Sequence, residues 1–196
     1  MSSTVEKLDP LTPEQFLAYP ERDRFELVHG RLVEQKMSMA SVWVAGQVFG
    51  KLSAYVFEHK LGMAFPDGLT YQCFNALDED PFLVRRPDCS FIRKGRVTRE
   101  QFEFGHCRVV PDLVIEVVSP NDTYHEVQQR VHQYRQAGCP LLWVIDPESR
   151  SALVYRSDGS VAELDEGKAL SGEDVVPGFS VLLSTILPPV NLEETL

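Results

Sequence analysis

One stretch constrains the fold more than any other: residues 111–130, PDLVIEVVSPNDTYHEVQQR. Its first eight residues are almost wholly apolar, which predicts a buried β-strand with Glu116 in the middle. A Ser-Pro-Asn-Asp turn follows, and then a helical pattern. The helix would carry Glu126, Arg130 and Tyr134 on adjoining turns.

A carboxylate inside an apolar strand needs a chemical explanation. Burying an ionised carboxylate without a partner costs several kcal/mol. We therefore expect Glu116 to be protonated, paired with a cation or bound to a metal ion.

The rest of the chain reads as one ordinary globular domain over residues 1–196, because 43% of its residues are hydrophobic and 24% are charged. No apolar run reaches the roughly 18 residues of a membrane span, and the N-terminus lacks a signal-peptide pattern, which predicts a cytoplasmic protein without a membrane contact. The four cysteines are widely spaced and predict core thiols rather than a zinc site or disulfides.

A net charge of -10 argues against a protein that coats nucleic acid without specificity. The segment 85–99 is nevertheless basic, and we consider it either a DNA-binding strip or a solvated loop. Its six basic residues are Arg85, Arg86, Arg93, Lys94, Arg96 and Arg99.

The pattern along the chain predicts an α/β fold with a mixed sheet, helices on both faces and added β-hairpins. Helices are expected from Thr12, which caps the first one, over 41–59 and over 122–137. Strands are expected at 68–74, 81–94, 111–118 and 141–147, with hairpins through His29-Gly30 and Asp158-Gly159 and a final strand or turn within 175–187.

The carboxylates predict where a metal ion could bind. Asp112 and Glu116 share a strand face but lie about 13 Å apart, too far to hold one ion. Asp88 begins the preceding strand, and because neighbouring strands are about 4.8 Å apart, Asp88 and Glu116 can meet. Two hard carboxylates favour Mg²⁺ and a phosphate substrate. Arg130 leans toward the sheet and could reach this site, unless it forms a surface pair with Glu126.

These motifs resemble a known family. FELVHGRLVE, PDCSFI, PDLVIEVVSPND, EVQQRVHQYRQAGCPLLWVIDPESRSALVYR and VVPGFS are similar in kind and order to the Uma-type restriction endonuclease family, a branch of the PD-(D/E)XK nuclease superfamily. The resemblance extends from about Phe16 to Phe179. It implies a restriction endonuclease-like αβββαβ core.

The resemblance also implies roles for particular residues. Asp88 would be the motif aspartate and Glu116 the acidic residue of the second half-motif, while the usual lysine would fall at Val118 and is absent. The basic position of this group, on the following helix, is Arg130 here. Because an arginine does not deprotonate, it could offset charge on the phosphate but not act as a general base. The nucleophile would be a water whose pKa the cation lowers.

Further residues are expected to support the site. Val117 would offer its carbonyl group to the metal ion, and Glu26 would help to complete the acidic cluster. Ser119, Glu126 and Tyr134 are expected around it.

We therefore predict a DNA endonuclease that requires Mg²⁺ (or Mn²⁺) and acts as a homodimer, since cutting two strands needs two sites. The alternative is a catalytically weak or inactive protein of the same fold that binds nucleic acid or a protein partner. Arginine in the lysine position and the negative net charge favour this alternative.

Overall fold

The structure is a computed structural model and describes residues 9–74, 80–103 and 105–191. Numbered in chain order, its helices are α1 (Pro13–Leu17), α2 (Met39–Glu58), α3 (Arg99–Glu103) and α4 (Tyr124–Gln136). Its strands are β1 (Phe25–Val28), β2 (Arg31–Glu34), β3 (Gly62–Pro66), β4 (Cys89–Arg93), β5 (Leu113–Val117), β6 (Leu141–Asp146), β7 (Ser151–Arg156), β8 (Val161–Asp165), β9 (Ala169–Ser171) and β10 (Ser180–Leu182).

A mixed sheet of six strands forms the centre, in the order β3-β4-β5-β6-β7-β8. The pair β5 and β6 is parallel, and the other four pairs are antiparallel. Parallel neighbours need a crossover connection, and α4 provides it between β5 and β6. The expected mixed sheet flanked by helices is thus confirmed.

Each face of the sheet has its own core. On one face α2 packs with Val44, Val48 and Leu52 against odd-numbered β5 residues such as Ile115. On the other face α4 packs against even-numbered β5 residues such as Val114. Because side chains alternate along a strand, Glu116 must point to the same face as α4.

Helix α1 begins at its expected cap, whereas α4 begins at Tyr124, two residues after the expected start at 122. Thr12 and Gln15 form a capping box at α1, and Thr123 and Glu126 form one at α4. At the other end of α4, Gly138 has a φ of +92°, which is the left-handed conformation that glycine adopts after a helix. The expected helix over 41–59 is present as α2.

One predicted strand is wrong, and another, expected over 81–94, is present only as β4, Cys89–Arg93. Residues 68–74 form no strand, and Tyr71 makes only isolated bridges to Arg85 and Cys107. The edge strand is instead β3, directly after α2. A Cβ at Gly62 would lie 2.1 Å from the carbonyl oxygen of Ile92, so glycine permits the close pairing of β3 with β4.

Two further expectations concern the whole chain. All four cysteines are free thiols, two of them buried and two half-buried. None of the described helices is long and apolar enough to cross a membrane. The assignment of residues 1–196 to one domain stays a prediction.

Candidate active site

The carboxylates of Asp88 and Glu116 line the same cavity, which has a volume of about 180 Å³. Asp88 directly precedes β4, and the backbone N–H of Val117 donates a 2.7 Å hydrogen bond to its Oδ2. That bond ties the start of β4 to the end of β5. Glu116 lies inside β5 and only 5% of it is exposed. Because β4 and β5 are paired, two residues 28 positions apart in sequence face one cavity.

Burial makes ionisation of this pair costly. It raises the pKa of Asp88 to about 7, against the lowering effect of the Val117 N–H. Burial also raises the pKa of Glu116 well above its usual range; Arg130 lowers it and the nearby Asp88 raises it further. Two neighbouring carboxyl groups with raised pKa values favour either a bound proton or a bound cation.

Arg130 reaches the sheet from α4. Its Nε lies 3.0 Å from Oε2 of Glu116, without hydrogen-bond geometry, and its Nη2 donates a 3.1 Å hydrogen bond to Oδ1 of Asp122. Burial lowers the pKa of Arg130, but Glu116 and Asp122 raise it by more. The alternative of a surface pair with Glu126 is wrong, since Glu126 pairs with Lys36.

Glu26 lies on β1, in the hairpin that docks beside the sheet, and it is buried. Its Oε2 accepts a 2.5 Å hydrogen bond from Nη1 of Arg85, and its Oε1 accepts one of 2.8 Å from the backbone N–H of Arg86. Nε of Arg85 in turn donates to Oε1 of Gln133 at 2.8 Å. Both oxygens of Glu26 therefore have protein partners, and Glu26 contributes a wall of the cavity.

Of the other three expected supporting residues, Glu126 lines the cavity, and Ser119 and Tyr134 do not. The backbone N–H of Ser119 donates to Oδ2 of Asp122 at 2.9 Å, which fixes the turn before α4. The hydroxyl of Tyr134 is fully buried, and burial raises its pKa well above the usual range. Glu126 lines the cavity and accepts hydrogen bonds from Thr123 and Lys36.

The basic segment 85–99 does not form one surface strip. Arg85 and Arg86 are buried, and Arg86 pairs with Asp67 through bonds of 2.6 and 2.7 Å. Neither presents a free guanidinium group.

The remaining basic residues of the segment lie toward the other end of β4. Arg93 and Arg96 both pair with Asp112, which begins the turn into β5. Lys94 and Arg99 are exposed, and Arg99 pairs with Glu103. A strand of five residues separates this group from Asp88, a distance of about 17 Å.

The cavity suits a divalent cation by its charge and its unpaired atoms. Among the residues that the structure describes, Oε1 of Glu116 has no hydrogen-bond partner. No group of three or more His, Cys, Asp or Glu in those same residues is arranged to hold a metal ion. Two carboxylates that leave other positions to water and phosphate oxygens fit Mg²⁺, which binds in this way. The lining has six acidic residues, Glu26, Glu34, Asp88, Glu116, Asp122 and Glu126, and three basic ones, Lys36, Arg85 and Arg130.

Asp122 and Lys36 are among the residues of the cavity lining that were not expected there from the sequence. Asp122 was interpreted only as a turn residue, yet it shares Arg130 with Glu116. Lys36 lies 90 positions before its partner Glu126, and nothing in the local sequence links them. The signal that could have found Lys36 is its place directly after the hairpin that carries Glu26.

Comparisons with known proteins identify the family and the fold of this chain. Residues 13–186 match the Uma2 family, described as "Putative restriction endonuclease". A solved structure from Anabaena variabilis ATCC 29413, described as a "putative nuclease belonging to DUF820", superposes with a TM-score of 0.72. It shares 19% sequence identity, and the match covers 90% of this chain and 97% of that one.

No curated protein matches the chain in sequence. The structural likeness shows a shared fold, and the family match extends over most of the chain, from α1 to the residues after β10. Membership of this family supports a nuclease function. The chain belongs to the Uma2 family, whose description is that of a restriction endonuclease.

Proposed function

We propose that this protein is a Mg²⁺-dependent (or Mn²⁺-dependent) DNA endonuclease that hydrolyses phosphodiester bonds. One observation carries the proposal: half-buried Asp88, directly before β4, and buried Glu116, on the adjacent strand β5, line one cavity, with an unpaired oxygen on Glu116. A protein gains no stability from two such carboxyl groups, so a ligand explains them better than packing does.

Asp88 and Glu116 would hold the cation, and the carbonyl group of Val117 remains a candidate third ligand. A divalent cation bound there would lower the pKa of a water molecule and polarise the phosphate. In the hydrolysis, the water oxygen bonds to phosphorus, the bond to one sugar oxygen breaks, and that oxygen leaves with a proton. Arg130 opposes the rise in the pKa of Glu116 and, through its ion pairs with Glu116 and Asp122, holds the Glu116 carboxyl group in place.

Cleavage of both DNA strands needs two such sites, so we propose that the protein acts as a homodimer.

One observation favours the alternative of a binding protein without nuclease activity. Neither β5 nor α4 contains a lysine. Arg130, which stands in its place, pairs with two carboxylates and cannot act as a base.

The test is cleavage of supercoiled plasmid DNA with Mg²⁺ or Mn²⁺ by the wild type, Asp88→Asn and Glu116→Gln. Each substitution should lower the rate at least about 1000-fold, because a lost metal ligand removes several kcal/mol of transition-state stabilisation. Glu103→Gln is the matched control, since Glu103 is an exposed carboxylate that pairs only with Arg99 among the described residues.

Three results separate the candidates. Cleavage by the wild type and by Glu103→Gln but by neither cavity variant supports the nuclease. Equal cleavage by all four proteins means that the activity does not come from this cavity. DNA binding without cleavage under any metal condition supports the alternative.

A further inference from the structure

Three cations line the cavity, and two of them are already committed to buried carboxylates. Arg85 donates to Glu26 and to Gln133, and its side chain is almost fully buried. Arg130 pairs with Glu116 and Asp122 and is 16% exposed. Moving either guanidinium away from its carboxylates would break a buried ion pair, which costs several kcal/mol, so neither is free to follow a phosphate group during hydrolysis.

Lys36 is the third cation, and its position differs. Its side chain is 34% exposed, and Nζ lies 2.8 Å from both carboxylate oxygens of Glu126. An ammonium group has three N–H donors, so one remains for another acceptor while two contact Glu126. The flexible lysine stem also lets Nζ move toward the cavity without disturbing the backbone.

The backbone around Lys36 is held near Asp88. The side-chain amide of Gln35 donates a 2.6 Å hydrogen bond to the carbonyl oxygen of Arg86, two residues before Asp88. The backbone N–H of Gln35 donates to the carbonyl oxygen of Arg24 at 2.9 Å. The segment that carries Lys36 is therefore fixed to the segment that carries the proposed metal ligand.

Glu126 is itself fixed by the start of α4. Its Oε2 accepts the backbone N–H of Thr123 at 2.8 Å and the hydroxyl of Thr123 at 2.9 Å. The hydrogen bond from Lys36 lowers the pKa of Glu126 to about 2, so Glu126 is a carboxylate at neutral pH. It holds the ammonium group at a defined position on the cavity wall.

We propose that Lys36 is the residue that contacts the DNA phosphate at this site, that Glu126 positions it, and that Arg130 positions Glu116 instead of contacting the phosphate. This rests on the proposed nuclease function. The site would thus regain its lysine from the N-terminal hairpin segment, far from Val118 in sequence. Nζ donates to a non-bridging phosphate oxygen and offsets the charge that develops there during hydrolysis.

The kinetic test compares Lys36→Met, Lys36→Arg and Arg130→Lys with the wild type in Mg²⁺-dependent plasmid cleavage. Lys36→Met should lower kcat by about 100-fold, the usual effect of removing one donor to a developing charge, with a smaller change in KM. Lys36→Arg should restore part of the rate. Lys168→Met is the matched control, because Lys168 also forms an ion pair, with Asp165, on a distant part of the surface.

A second test does not depend on cleavage. In the Asp88→Asn protein, the affinity for a short DNA duplex is measured against KCl concentration by fluorescence anisotropy. Adding Lys36→Met should reduce the slope of log K against log salt by about 0.9, the value for one lost phosphate contact. Adding Lys168→Met should leave the slope unchanged.

The outcomes distinguish this inference from the proposed function. If the salt slope falls as expected but the wild type cleaves no DNA, the Lys36 contact stands and the nuclease proposal is removed. If the wild type cleaves DNA and Lys36→Met changes neither the salt slope nor kcat, the inference is overturned and the proposed nuclease function stands. A faster Arg130→Lys enzyme also overturns it, because the phosphate contact would then lie on α4. Absence of DNA binding by Asp88→Asn overturns the phosphate contact.

Discussion

The two ends of β5 each have a buried carboxylate, and their surroundings are opposite. Asp112, just before the strand, is 4% exposed and surrounded by donors. Its Oδ2 accepts the backbone N–H of Arg93 at 2.9 Å and lies 2.6 Å from Nη1 of Arg96. Glu116, near the other end, is 5% exposed, forms an ion pair with Arg130 alone among the described residues, and keeps Oε1 unpaired there.

The difference separates a carboxylate that folding accounts for from one that we propose to be functional. Asp112 receives a backbone N–H and the charges of two arginines, so folding alone accounts for it. Glu116 and its neighbour Asp88 have raised pKa values because burial is not fully compensated. Carboxyl groups with raised pKa values in a cavity are typical of functional sites, because a bound cation supplies the positive charge that the protein does not.

The largest effect on the free energy of unfolding is expected for Asp88→Asn, and its size should depend on pH. The pKa of Asp88 is about 7 in the folded protein and about 4 when unfolded. Between these values the folded state keeps a proton that the unfolded state has lost, so stability falls as pH rises from about 4 to 7 and stays low above. In EDTA at pH 8, Asp88→Asn should therefore be more stable than the wild type, by on the order of 3 kcal/mol.

Urea unfolding at pH 5 and pH 8 measures this difference, which should shrink at pH 5. An Asp88→Asn protein that is less stable than the wild type at pH 8 would break the comparison, because Asp88 would then resemble Asp112.

At the opposite end of β5, removing the carboxylate of Asp112 should lower the stability of the protein. Asp112→Ala removes the acceptor of the Arg93 N–H and the partner of two half-exposed guanidinium groups. The loss should be about 2 kcal/mol, since a buried donor is left unpaired. Thermal unfolding should show a fall of about 4–8 °C. Asp174→Ala is the control, because Asp174 is almost fully exposed and its side chain contacts only Arg93 among the described residues.

Mg²⁺ should stabilise the protein through Glu116 and not through Asp112, and this effect is smaller than the two above. At 10 mM Mg²⁺ and a Kd near 1 mM, the stability of the wild type at pH 8 should rise by about 1.4 kcal/mol. Asp112→Asn should keep this increase, and Glu116→Gln should lose it. Equal increases in both variants would show that Mg²⁺ binds elsewhere.

Much of the fold could be predicted from the sequence because its signals are local. The capping boxes at Thr12 and Thr123 and the apolar pattern of β5 each lie within a few residues. The strand expected at 68–74 was wrong, because an apolar run of this length does not show whether a neighbouring strand is available to it. Tyr71 bridges Arg85 and Cys107 instead of joining the sheet.

The candidate site was harder to predict wherever it depends on long-range contacts. Pairing of adjacent strands brings Asp88 to Glu116, and strand spacing was enough to anticipate that. Burial of Arg85 and Arg86 depends on Glu26 and Asp67, which lie 59 and 19 residues away from them. Counting charges in a segment cannot show such pairs, so a basic run looked like a binding surface.

The link between Lys36 and Glu126 also has a consequence for the protein during its synthesis. The hairpin segment leaves the ribosome early, while its partner on α4 follows 90 residues later. At about 5–20 residues per second, the delay is roughly 5–20 s. For most of that interval the nascent chain has Lys36 but neither β5 nor α4. The cavity therefore cannot form until the residues up to Arg130, about two thirds of the sequence, have been made, so the proposed nuclease site is incomplete before then.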